Sequence, residues 1–135
     1  MIFLLDTNVC IHYLKYPEST VARQVEALHT SDLAVSSVTK AELFYGAMRS
    51  NNPERSLRLQ EEFVETLMSL PFDDAAARVY AKIRADLAGR GTPIGPYDLQ
   101  IAAIALAHDL ILVTNNTREF SRVKSLRIED WQMNL

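Results

Sequence analysis

The sequence predicts a single α/β domain over residues 1–135, in which an open, mostly parallel sheet of four or five strands is flanked by helices on both faces. Short runs that are wholly apolar indicate strands buried on both faces. Segments with helical periodicity separate these runs, which indicates right-handed βαβ crossovers. The length of 135 residues and the hydrophobic content of 48% suit one domain with its own core.

The first half of the chain contains two predicted buried strands, at residues 2–5 and 33–38. A short helix is predicted over residues 9–14 and is broken by Pro17, and Ser19 or Thr20 can cap the next helix. Thr39 is expected to open a third helix. The polar stretch of residues 50–53 separates it from a fourth helix that is predicted to run to about residue 68.

The second half begins with a brief connector or strand at residues 70–72. Asp73 or Asp74 can then cap an alanine-rich helix that stops at Gly89 and Gly91. After a rigid loop, a helix over residues 97–108 and a strand over residues 110–114 are predicted, with a last short strand near residues 126–128.

Composition excludes several classes of protein. The single cysteine, Cys10, cannot form an internal disulfide or a thiolate metal site and suits a reducing cytoplasm. The N-terminus lacks a basic leader, and no apolar stretch reaches the length of a membrane span. A net charge of −3 argues against tight binding of nucleic acid by electrostatics alone. We therefore expect a cytoplasmic protein, and local patches would have to hold any RNA.

Three acids lie at junctions between predicted elements, and each has an ordinary structural alternative. Asp6 ends the first strand and could simply cap the next helix. Glu42 lies three residues after Thr39, the spacing of a capping box. Asp98 lies in the first turn of a helix, where the macrodipole favours an anion. Taken separately, none of the three requires a functional explanation.

Together the three acids indicate a metal site. In parallel sheets, ligands bind beyond the carboxyl ends of the strands, where Asp6, Glu42 and the Asn116 that follows the later strand are all expected to project. Carboxylates gathered there would repel one another unless a hard cation lay between them. Mg²⁺ or Mn²⁺ fits this description, and phosphodiester hydrolysis is the chemistry that such a site supports.

Other polar residues give weaker indications. The three histidines have no partner at metal-ligand spacing, so we interpret them as surface or packing residues: His12, His29 and His108. Cys10 is interpreted as a small buried hydrophobe. A basic run could hold RNA phosphates or could be a solvated helix face: Arg78, Lys82, Arg84 and Arg90.

Four stretches of sequence together resemble the PIN-domain ribonucleases, specifically the VapC toxins of the enterobacterial type. They are LLDTN at residues 4–8, SSVTKAEL at 36–43, GPYDLQIA at 95–102 and VTNNTREF at 113–120, followed by EDW at 129–131. The resemblance spans nearly the whole chain. It implies a homodimer, a VapB-type antitoxin partner and Mg²⁺-dependent cleavage of RNA, with initiator tRNA the best-known target of this group.

The resemblance also implies roles for individual residues. Asp6 and Asp98 match firm metal ligands, and Glu42 matches the acid at the start of the helix after the second strand. The fourth position, often acidic in the family, is Asn116, which cannot act as a base; Glu119 could partly substitute. Thr7, Asn8 and Thr114 resemble residues whose hydrogen bonds orient the carboxylates.

Particular residues argue against two competing functions. Phosphoaspartyl phosphatases need a second acid two residues after the first, where this chain has Asn8. A receiver domain needs a phosphoacceptor Asp on a later strand, which residues 110–114 do not supply. A catalytically silent PIN-like module that only binds RNA or a partner remains an open alternative.

Overall fold

In the computed structural model, which describes residues 1–132, five strands form one sheet. Their bounds are Phe3–Leu5 (β1), Leu33–Ser36 (β2), Met68–Leu70 (β3), Ile111–Val113 (β4) and Ile128–Glu129 (β5). The strand order is β3-β2-β1-β4-β5, and every pairing is parallel. The predicted open, parallel α/β sheet is therefore confirmed.

Helices cover both faces of the sheet. Their bounds are Thr7–Lys15 (α1), Thr20–Ala27 (α2), Ser37–Met48 (α3), Pro53–Val64 (α4), Asp74–Gly89 (α5), Pro96–Ala107 (α6) and Thr117–Phe120 (α7). Strand residues alternate between two cores. Leu5, Val35 and Val113 pack with residues of α1 to α4, and Leu4, Ala34 and Leu112 pack with residues of α5 and α6.

The order of the strands creates a crevice between β1 and β4. The chain winds outward from β1 through β2 to β3, then returns to the other side of β1 and continues through β4 to β5. Connections therefore leave β1 and β4 in opposite directions, which is the topological switch point where α/β sheets bind ligands. Asp6 extends the pairing here, because its N–H donates to the carbonyl of Val113 at 3.0 Å.

The start of α3 differs from the prediction. The strand β2 ends at Ser36 instead of residue 38, and the Ser36 hydroxyl caps α3 by accepting from the Thr39 N–H at 3.0 Å. Thr39 is consequently a fully buried residue inside the helix. The capping box at Thr39 and Glu42 is therefore wrong, since the true cap lies one turn earlier and leaves the Glu42 carboxylate free for other partners.

Other differences fall at short elements. The helix α4 ends at Val64, and the following strand is Met68–Leu70 rather than residues 70–72, while α7 was not predicted. The last strand is Ile128–Glu129 instead of residues 126–128. Strands this short are defined by pairing with a neighbour, as Ser69 pairs with Val35, and not by their own apolar pattern.

Several local predictions are confirmed. Asp73 caps α5 through the Ala76 N–H, and Gly91 follows this helix with a φ of 70°, a left-handed conformation that glycine adopts without strain. Cys10 is completely buried, and burial raises the pKa of its thiol, so it remains an unreactive core residue. No helix within residues 1–132 combines the length and apolar character needed to cross a bilayer.

Candidate active site

Asp6 anchors the site at the carboxyl end of β1. Its side chain is only 3% exposed and is held by two hydrogen bonds. One carboxylate oxygen, Oδ1, accepts from the Thr7 N–H at 2.6 Å, and Oδ2 accepts from the Thr114 hydroxyl at 2.7 Å. Asp6 therefore does cap α1, but the cap and the link to β4 also fix the carboxylate in the crevice.

Thr114 and Asn116 extend this network beyond β4. The Thr114 oxygen accepts from the Asn116 N–H at 3.0 Å, so its single hydrogen remains available to donate to Asp6. The side-chain amide of Asn116 donates to Glu119 Oε2 at 3.3 Å. The fourth position thus contains an amide and a carboxylate that contact each other.

Glu42 is positioned from the neighbouring strand and helix. Its Oε1 accepts from the Thr7 hydroxyl at 2.8 Å. The Thr7 oxygen also lies 3.0 Å from the Thr39 hydroxyl oxygen. Because the Thr7 hydroxyl has one hydrogen, it donates to the carboxylate and accepts from Thr39. Buried hydroxyls therefore connect α1 to α3 and orient Glu42.

Asp98 lies in the first turn of α6, where Gly95 is the cap and Pro96 the first helical residue. The pKa of Asp98 is raised to about 6, chiefly because the side chain is partly buried, and further by the nearby negative charges of Asp6, Glu119 and Glu42. A carboxylate at a helix N-terminus would otherwise be favoured in its charged form. Repulsion and burial therefore dominate at this position.

The pKa of Asp6 is also raised. Burial is the largest cause, the hydrogen bonds from Thr114 and Thr7 act in the opposite direction, and the charge of Glu42 raises the pKa further. The structure thus brings Asp6, Glu42 and Asp98 close enough that neighbouring negative charges disfavour the ionised forms of Asp6 and Asp98, with Glu119 also near Asp98. A proton or a cation would relieve this repulsion.

The donor set fits a hard divalent cation. All the gathered groups are oxygen donors, as Mg²⁺ prefers, and no salt bridge formed within residues 1–132 neutralises them. In the same part of the chain, no three His, Cys, Asp or Glu side chains lie close enough together to hold a metal ion by themselves. Mg²⁺ does not need such a group, because it keeps several waters and is commonly bound through one or two protein carboxylates together with substrate phosphates.

Some of the sequence candidates lie outside this cluster. Asn8 is exposed on α1, and its side chain makes none of the hydrogen bonds found in the described chain. The charges and hydrogen bonds that act on the acids come from none of the three histidines. In the basic run, Arg90 pairs with Asp86 at 2.7 Å, and Arg84 binds the Tyr80 hydroxyl at 3.1 Å.

Two residues that orient the site were missed by sequence reasoning. Ser36 and Thr39 are fully buried polar residues: Ser36 sets the start of α3, and Thr39 contacts the Thr7 hydroxyl that binds Glu42. The sequence offers Ser36, directly after an apolar run, as a plausible cap one turn before Thr39, but it does not decide between the two.

Comparison with known proteins decides the family. The profile of the PIN domain matches residues 3–126 of this chain. The chain belongs to the PIN-domain family.

Individual relatives indicate the type of PIN-domain protein. The chain is 48% identical to the tRNA(fMet)-specific endonuclease VapC of Shigella flexneri, over 96% of this chain and 97% of that protein. The protein of the same name from Salmonella typhimurium is 46% identical over the same shares of the two chains. Relatives of this PIN-domain chain are named endonucleases or ribonucleases, so the predicted nuclease class and the resemblance to VapC toxins are confirmed.

Solved structures of similar proteins agree with the fold. The DNA-bound VapBC of Salmonella typhimurium superposes with a TM-score of 0.92 at 46% identity, covering 97% of this chain and 98% of that one. FitAcB of Neisseria gonorrhoeae gives a TM-score of 0.84 at 30% identity, covering 98% and 100%. The first of these structures contains a VapB antitoxin with its VapC. PIN-domain ribonucleases are metal-dependent as a class.

Proposed function

We propose that the chain is the toxin of a type II toxin–antitoxin system, an endoribonuclease in which Asp6, Glu42 and Asp98 hold Mg²⁺, with Mn²⁺ as a substitute. The observation that supports it most is the convergence of these three carboxylates beyond β1, β2 and the start of α6, with raised pKa values at Asp6 and Asp98. Repulsion between buried carboxylates destabilises a fold, so it is expected at a functional site and not among residues that serve stability alone.

Each residue of the proposed site has its own role in hydrolysis. A bound Mg²⁺ would supply polarisation of the phosphodiester and a water of lowered pKa. Asp6 is held rigidly by Thr7 and Thr114, so its carboxylate is oriented before a ligand arrives. Glu42 is oriented by the Thr7 hydroxyl. Asn116 has no titratable group, and it holds Glu119 near the other acids by its hydrogen bond.

Substrate and partners follow from the named relatives. The two enterobacterial relatives are named for initiator tRNA, and we propose tRNA, in the cytoplasm, as the substrate of this chain as well. A VapB-type antitoxin would neutralise it, as the solved VapBC complexes suggest. We propose that the toxin acts as a homodimer. An arginine of the antitoxin would bind these carboxylates well, since its planar guanidinium can form two hydrogen bonds with a carboxylate.

The experiment that tests this proposal is cleavage of total RNA by the purified, partner-free protein with Mg²⁺ or with EDTA. We expect Asp6→Asn and Asp98→Asn to fold normally and to lose cleavage, because each change keeps the shape and removes a charge that the cation needs. Asp130→Asn, at a carboxylate outside the cluster, is the control and should cut like the wild type. Equal cleavage by Asp98→Asn and the wild type would contradict the proposed metal site and favour the catalytically silent alternative.

A further inference from the structure

A cavity of about 690 Å³ lies between α3 and α6, directly beside the carboxylates. Glu42 is one of its lining residues, so the cavity and the proposed metal site share a wall. The other lining side chains come from two helices: Ser37, Val38, Ala41 and Tyr45 from α3, and Tyr97 and Gln100 from α6. Tyr97 and Gln100 also flank Asp98 in sequence, so both helices that supply acids to the site also line the cavity.

Two tyrosines in this cavity are unusually exposed. The side chain of Tyr45 is 63% exposed and that of Tyr97 is 58% exposed. Aromatic side chains normally bury most of their surface, and scattered exposed ones need no explanation. Two that line one concave surface beside a cluster of acids do indicate a ligand, because neither contributes to the two cores of the fold.

The polar groups of the cavity suit a nucleobase. Gln100 presents a carboxamide with both donors and an acceptor, which can pair with the edge of a base. Arg49 donates to the Tyr45 hydroxyl at 3.2 Å, and its guanidinium carbon lies 6.0 Å from the centre of that ring. This arginine binds Tyr45 and places a positive charge beside the ring, which suits contact with a phosphate of the same strand.

We propose that this cavity is a nucleobase subsite, in which Tyr45 and Tyr97 stack on an unpaired base of RNA next to the phosphate at the carboxylates. Single-stranded nucleic acids are commonly held by aromatic stacking combined with a few positive charges. Such binding also suits a chain with a net charge of −3, which cannot depend on neutralising many phosphates. The position beside the cut phosphate rests on the proposed function, whereas base binding by the cavity does not.

The test is fluorescence quenching of 2-aminopurine placed centrally in a single-stranded hexaribonucleotide, titrated with the full-length protein in EDTA to prevent cleavage. We expect quenching by the wild type and about 10- to 100-fold weaker binding by Tyr45→Leu and Tyr97→Leu, which keep apolar bulk and lose the ring. Tyr45→Phe should retain quenching. Tyr16→Leu is the matched control, because Tyr16 is 48% exposed at the end of α1, outside the cavity, and should bind like the wild type.

Two results would overturn the inference. The first is the absence of quenching by the wild type, or equal quenching by all variants. The second is a fall in oligomeric mass of Tyr45→Leu or Tyr97→Leu in analytical ultracentrifugation, which would show that the cavity is covered by a second copy of the chain. Failure of the proposed function would differ from both, since it would appear as cleavage by Asp98→Asn and not as a change in quenching at Tyr45.

Discussion

The Thr114 hydroxyl donates to Asp6 Oδ2 at 2.7 Å and so joins the carboxyl ends of β4 and β1 across the crevice of the sheet. Both residues are almost completely buried. The bond restricts the Asp6 carboxylate to one orientation and lowers its pKa against the effect of burial. Orientation of a carboxylate by such a partner commonly accounts for a 10- to 100-fold effect on metal affinity or activity, to order of magnitude.

Thr114→Val should therefore reduce cleavage by about 10- to 100-fold and weaken Mg²⁺ binding by a similar factor. The substitution keeps the shape of the side chain and leaves Asp6 with a higher pKa. Isothermal titration with Mg²⁺ and initial rates on RNA measure the two effects. Thr66→Val, at an exposed threonine outside the site, should change neither. Unaltered Mg²⁺ affinity in Thr114→Val would show that this bond does not orient a ligand.

The repulsion at Asp98 predicts an unusual dependence of stability on pH. Because the pKa of Asp98 is raised to about 6, the folded protein binds its proton more tightly than the unfolded chain does. In EDTA, the stability that this proton contributes should be lost as the pH rises from about 4 through about 6. Asp98→Asn should remove that loss and melt higher than the wild type at neutral pH.

Asp86→Asn provides a control in which the pH dependence of stability has the opposite sign. The pKa of Asp86 is lowered by its hydrogen bond and ion pair with Arg90, so its contribution is present above the unfolded pKa and is lost as the pH falls. Thermal melts across this pH range, with and without Mg²⁺, measure both variants. Mg²⁺ should stabilise the wild type more than Asp98→Asn. The same pH profile in the wild type and in Asp98→Asn would contradict the assigned repulsion.

Removal of the cap on α3 should affect both stability and activity. Ser36→Ala leaves the Thr39 N–H without its buried partner and should lower the free energy of unfolding by about 1 kcal/mol. It should also reduce cleavage, because this first turn leads to Glu42. Ser56→Ala, in α4, is a control for the loss of a serine hydroxyl. Urea unfolding and RNA cleavage give the two readouts. Full activity in Ser36→Ala would show that this cap does not help to position the site.

Much of this site could be predicted because parallel strands bring their carboxyl ends to one edge. That rule placed Asp6 and the segment after β4 together, and the helix start at Gly95 and Pro96 placed Asp98 near them. The register of α3 could not be predicted, since Ser36 and Thr39 are both plausible caps and tertiary burial decided between them.

The cavity beside the acids could not be predicted either. Tyr45 and Tyr97 lie far apart in sequence, on helices with no marked periodicity around them, and either could equally have been a core residue. Only the packing of α3 near α6 shows that both remain exposed and line one surface. The bounds of the short strands β3 and β5 were not predicted exactly either, because they depend on pairing with β2 and β4.

Expression of the chain alone should arrest bacterial growth, and expression of Asp98→Asn should not. Co-expression of a small VapB-type partner should restore growth by covering the acids. Replacing the partner's acid-facing arginine with alanine should then weaken protection, because the planar fork that pairs with carboxylates is lost. Growth curves and pull-down of the pair measure these effects. Normal growth with abundant, folded, partner-free wild-type protein would contradict the toxin assignment.

The chemistry of the cut ends tests the central claim most directly. Ribonucleases that use the neighbouring 2′-hydroxyl depend on an acid–base pair, usually histidines, and leave a cyclic phosphate. Here no histidine is among the charges and hydrogen-bond partners that shift the pKa values of Asp6 and Asp98, and the donor set favours attack by water with departure of the 3′-oxygen. Mapping the ends of RNA cut by the purified wild type should give 5′-phosphates and 3′-hydroxyls, with no cleavage in EDTA and recovery on adding Mg²⁺ or Mn²⁺. Cyclic phosphate ends, or cleavage that persists in EDTA, would contradict a metal-dependent site formed by Asp6, Glu42 and Asp98.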